Sequence, residues 1–67
     1  MNLKVGSVVR ATNQVEDEGR VFAQAGDLGR VRGIELDGEL IALTVAWVHA
    51  PQVTTSWLGE DCEVASA

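Results

Sequence analysis

Apolar and polar positions alternate along most of this chain, and glycine cuts the alternation into short pieces. The clearest run covers residues 40–49. Ile41, Leu43, Val45, Trp47 and His49 fall on one face, and Ala42, Thr44, Ala46 and Val48 on the other, which is the period of a strand. The larger set is expected to face a core. Shorter Val-, Ile-, Thr- and Trp-rich runs at 7–12, 30–36, 53–58 and 62–64 have the composition of strands, because β-branched and aromatic side chains suit a pleated surface. Residues 20–23 form either a further short strand or the closing arm of the loop before it. Nowhere does an i, i+3, i+4, i+7 apolar stripe recur with helix caps. The chain is expected to be all-β.

The residues between the runs set the connections. Glu16, Asp17 and Glu18 are adjacent like charges, which favour a long solvated loop over 13–19. Gly26 and Gly29 flank a turn at which each is free to take positive φ. Asp37-Gly38 signals a hairpin with a type I′ turn. Pro51 cannot donate to a ladder, so 50–52 is a turn. Residues 59–61 make one more turn, of 3₁₀ or plain form, before the last strand, and Ser66 and Ala67 are expected to fray. Four or five short strands and one long acidic loop suggest a small closed or half-closed barrel. A flat sheet of this size would leave long unpaired edges and no enclosed core.

Composition narrows the function. At 67 residues and 7.1 kDa there is room for one domain, and a chain near this size buries only about 60% of the surface its unfolded form exposes. Cys62 is the single cysteine, so no internal disulfide exists, and a lone thiol is the usage of a reducing compartment. His49 is the single histidine, so one chain cannot assemble a His/Cys metal cluster. Ten acidic against five basic side chains give a net charge of −5. That balance disfavours nucleic acid, whose affinity comes from clustered Lys and Arg. The start has no apolar segment behind its first lysine, and the longest apolar run is far shorter than the ~20 residues of a membrane span. A soluble, cytoplasmic monomer is expected.

Several segments resemble the SH3-like small-barrel superfold. Lys4-Val5-Gly6-Ser7-Val8-Val9-Arg10 resembles its opening strand, and 13–24 occupies the place of its long RT-type loop. Ala25-Gly26-Asp27-Leu28-Gly29-Arg30-Val31 resembles the turn and strand of small bacterial members. Trp57-Leu58-Gly59-Glu60-Asp61-Cys62-Glu63-Val64 resembles the closing turn and terminal strand. Within the superfold the pattern is similar to NifZ-type nitrogen-fixation accessory domains, with layouts like it in the variable chain of ferredoxin–thioredoxin reductase and the PsaE-type photosystem I subunit. The resemblance covers about residues 5–64 and implies a single SH3-like barrel of about five short strands. It also implies an accessory role beside a metalloenzyme or redox complex. The chain departs from a ferredoxin-docking subunit in lacking a basic surface. The segment 26–34 is also similar to a KOW-type ribosomal or transcription module, which implies an RNA- or polymerase-associated barrel. A third option is a subunit of an oligomeric small-barrel enzyme.

Candidate chemistry is sparse. His49, Asp61 and Cys62 could be arranged as a nucleophilic pair or half a metal site, but no oxyanion-hole motif accompanies them, and a packed small hydrophobe is the default for a cysteine. Gly26-Asp27-Leu28-Gly29 lacks the Lys-Ser/Thr and the helix of a phosphate loop. Arg30 and Arg32, two apart, are expected on one face and paired with carboxylates. No catalytic, cofactor or metal residue is assigned. Trp47 is expected in the core, and Trp57 either caps the barrel or lies exposed. The expected docking surface lies between the long loop and the turn joining the second and third strands. It gathers Glu16, Asp17, Glu18, Asp37 and Glu39, with Trp57 as the apolar anchor, and would steer a basic partner protein.

Overall fold

The strongest alternation forms the longest hairpin. In the computed structural model, which describes residues 2–66, β4 (Leu28–Asp37) pairs antiparallel with β5 (Leu40–Trp47). The remaining strands are β1 (Val8–Ala11), β2 (Val15–Asp17), β3 (Arg20–Ala23), β6 (Thr54–Trp57) and β7 (Cys62–Ser66), with no helix among the described residues. Five strands make one antiparallel sheet in the order β6-β5-β4-β1-β7, and β2 and β3 make a separate hairpin. At the sheet's two ends, β6 and β7 are linked by a tight turn and by a parallel bridge from Leu58 to Cys62. The fold is all-β, a small barrel-like domain of seven strands in two antiparallel sheets.

The core follows the phase of β5. Leu43, Val45 and Trp47 are buried, and they meet Val9 and Ala11 of β1, Val31 of β4 and Cys62 of β7. A bulge lets β4 keep up with them. Val31 faces Val45 but Gly33 faces Thr44, so Arg32 is an extra residue in the ladder. Simple alternation would put Ile34 and Leu36 on the face of Arg30. The inserted residue reverses the phase and sets Ile34 opposite Leu43 and Leu36 opposite Ile41. Arg30 lies opposite Ala46, Arg32 has no ladder partner, and both are exposed. The hairpin also runs past the end of the core, leaving Leu36 and Leu40 exposed.

The acidic stretch is not a solvated loop. Val15 and Ala23 pair across β2 and β3 and are both buried in the core, so the hairpin lies over the barrel with its charges outward. Asp17 faces Arg20, leaving Glu18 and Gly19 as a two-residue turn with φ of 51° and 79°. Two successive positive φ values are the type I′ pattern. The Asp37-Gly38 expectation is corrected in the same terms. Asp37 pairs with Leu40, so the turn is Gly38-Glu39, and only Gly38 has positive φ (64°), the pattern of a type II′ turn.

Of the smaller expectations, two change and one holds. The connection before β7 is the single turn expected at 59–61, in its plain form, in which the Trp57 carbonyl accepts from Glu60 N at 3.3 Å and from Asp61 N at 2.8 Å. Ser66 is paired with Val8 in β7 instead of frayed; Ala67 lies outside the described residues. His49 is out of the core, because β5 ends at Trp47 and the chain turns there.

Candidate functional site

A cleft of about 450 Å³ opens between the β2–β3 hairpin and the β5–β6 pair, lined by Glu16, Asp17, Thr44, Val53, Thr54 and Thr55. The hairpin brings the acids there. Burial of Val15 fixes the phase of β2, and Gln14 Nε2 donates to Glu16 Oε2 at 3.1 Å. Across the cleft, Thr44 and Thr55 face each other in the ladder. Thr54 and Ser56 are buried, so alternation puts Thr55 and Trp57 on the outer face of β6.

The six expected surface residues are only partly gathered. Glu16 and Asp17 line the cleft, and Glu18 occupies the turn beside them. Trp57 is half-buried, faces Ala42 and is not among the side chains packed on the core. It sits two residues along β6 from Thr55, about 7 Å at strand rise. Asp37 and Glu39 do not line the cleft. They lie at the β4–β5 tip, with Glu39 five residues along from Thr44, roughly 16 Å of extended chain. The threonines and Val53 were not legible as site residues, because nothing in a Thr-Thr-Ser run says which hairpin will lie beside it.

Arg10 and Glu63 make the one salt bridge among the described residues, exposed and 3.5 Å long, a contact worth well under about 1 kcal/mol. Arg30 does not pair with a carboxylate. Its Nη1 donates to the Gly6 carbonyl at 2.8 Å, at the side of a second, shallower groove lined by Val8, Leu28, Ala46 and Val48. Among the described residues no carboxylate bonds to Arg32.

Cys62 and His49 do not form a site. Cys62 is fully buried beside Ala11, while His49 is exposed and lines a different shallow cleft with Phe22 and Asp27. Burial, with a smaller contribution from the Asp61 carboxylate, pushes the Cys62 thiol up to about 11, away from the thiolate a nucleophile requires. The described residues contain no group of three or more His, Cys, Asp or Glu placed to hold a metal ion.

The raised thiol has a stability consequence. The folded state holds the Cys62 proton more tightly than the unfolded chain does, so between pH 9.0 and about 11 the native state binds more protons. Its contribution is full below pH 9.0 and is lost as pH rises toward about 11. The urea midpoint should fall across that window in wild type and fall less in Cys62→Ala. Equal slopes in the two proteins would show that Cys62 is not the group responsible.

Comparisons with protein-family models, with curated proteins and with solved structures gave no match to this chain.

Proposed function

We propose that this barrel is a small, acidic, non-catalytic interaction module that docks a basic surface of another protein at the Glu16–Asp17 cleft. The observation that supports it most is the placement of the two carboxylates. A hairpin whose foot, Val15 and Ala23, is buried carries them beside an open cleft floored by threonines, with half-buried Trp57 adjacent on the outer face. Acids beside an aromatic steer a cationic partner and supply an apolar contact once it arrives. An accessory role beside a metalloenzyme or redox complex is the context suggested by the resemblance to NifZ-type domains.

The test neutralises the charges without changing shape. Glu16→Gln and Asp17→Asn keep side-chain volume, and Glu18→Asn, one methylene shorter in an exposed turn, tolerates the positive φ at position 18. The triple variant should melt like wild type yet recover about tenfold less of its partner from host extract at low salt. Equal recovery of the same proteins at every salt concentration would reduce the acids to a solvated face.

A further inference from the structure

Strand β6 stands at one end of the sheet and pairs only with β5. Which of its backbone groups remain free follows from one hydrogen bond. Leu58 N donates to Ile41 O at 3.0 Å, and these two residues continue the register of Ala42 with Trp57 and Leu43 with Ser56. In an antiparallel ladder, hydrogen-bonded and non-hydrogen-bonded pairs alternate. The N–H and C=O of Leu58, Ser56 and Thr54 therefore point toward β5, and those of Trp57 and Thr55 point away.

Of the outward groups, those of Trp57 are already used. Its N–H donates to Asp61 Oδ2 at 2.8 Å, and its carbonyl accepts from Glu60 and Asp61. The backbone N–H and C=O of Thr55 have no partner among the described residues. Val53, two residues before it, is 51% exposed. Both residues line the cleft that carries Glu16 and Asp17. An unpaired edge, an exposed valine and two carboxylates thus occupy one place.

We propose that the open edge of β6 at Val53–Thr55 accepts an extended lysine- or arginine-bearing segment of a partner protein as an added strand. Glu16 and Asp17 would meet its cationic side chains. The proposal rests on the docking function above and specifies its mode. Main-chain bonds to Thr55 supply binding that is indifferent to sequence, and the acids select for charge. The Asp61 carboxylate, by occupying Trp57 N–H, ends the available edge and limits the added strand to a few residues. A second copy of this chain is the wrong occupant. Pairing β6 with β6 would bring two Glu16–Asp17–Glu18 hairpins together on chains that each carry a net charge of −5, and like charges so placed repel.

The probe is a short amidated peptide of alternating lysine and valine, titrated into the ¹⁵N-labelled full chain. Two further peptides carry N-methyl groups on alternate residues, one in each phase, so that each blocks one backbone edge of the probe. Binding should shift the Thr55 amide downfield and slow its exchange. One methylated phase should bind about tenfold more weakly than the other, as expected for losing main-chain bonds. Thr55→Pro removes an outward N–H at an edge position that tolerates proline, and should abolish binding while leaving the spectrum dispersed. Should both methylated phases bind alike with no protection at Thr55, strand addition is wrong while charge-driven docking still holds. No binding by the parent peptide at low salt would also overturn strand addition. The pull-down with the amide variants then judges the docking function separately.

Discussion

Trp47→Ala is expected to remove about 3–5 kcal/mol of stability, which for a barrel of this size is most or all that it has. Trp47 is 2% exposed and is the largest side chain in the buried cluster, packed with Leu43 and Val45 from its own strand and against the backbone of Gly29 opposite. No other tryptophan shares the task, because Trp57 lies on the outer face. The remaining core is built mainly of valine and alanine, short side chains that cannot reach in to fill the space. The variant should lose its amide dispersion at 25 °C, or melt tens of degrees lower if a folded fraction survives. Trp47→Phe is expected to lose far less. It keeps an aromatic ring, and it discards an indole Nε1 that is buried without a hydrogen-bond partner among the described residues, a group whose desolvation already counts against the fold. A Trp47→Ala protein with near-native dispersion and melting temperature would show that the core does not depend on this residue.

The phase that makes Trp47 central was legible because β5 has no irregularity. Every second residue from Ile41 to Trp47 is large and apolar, and the structure buries or half-buries each of them. What escaped the pattern are places where one residue changes the count. Arg32 is the extra residue of a bulge, and nothing in Arg30-Val31-Arg32-Gly33-Ile34 announces that the core face passes from odd to even positions there. The acidic segment misled for a different reason. Glu16, Asp17 and Glu18 are as exposed as a charge run suggests, but the fold of that segment is decided by its ends, where Val15 and Ala23 are buried. Charge described the surface of the hairpin and hid its foot. The candidate site inherits both effects. Glu16, Asp17 and Trp57 could be named from residue type. Their separation from Asp37 and Glu39 could not, since it depends on how far the β4–β5 hairpin projects beyond the core.

Glycine is the other residue whose meaning only packing reveals, and the pair Gly29 and Gly33 on β4 offers a controlled comparison. Gly29 was expected to flank a turn, free to take positive φ. It lies instead within the strand, buried and without positive φ, so its requirement is space. A Cβ there would come within 2.5 Å of Val45 Cγ1 and 2.7 Å of Trp47 Cε3. Neither neighbour can retreat, because both are held in the core. At Gly33 the nearest atom to an added Cβ is Thr44 Oγ1 at 3.5 Å, an ordinary contact on the outer face. Gly29→Ala should therefore cost about 1–3 kcal/mol by overpacking. Gly33→Ala should be neutral or stabilising by up to about 1 kcal/mol, since alanine narrows the unfolded ensemble. The clash at position 29 is partly with the indole, so Gly29→Ala should cost less in a Trp47→Leu background, with a coupling energy of about 0.5–3 kcal/mol in a double-mutant cycle. Urea denaturation of the four proteins of that cycle, with Gly33→Ala as the reference, measures each quantity. If Gly29→Ala matches Gly33→Ala in midpoint, or if the cycle shows no coupling, the indole does not rest on the Gly29 backbone and the barrel tolerates a side chain where the structure leaves room for none.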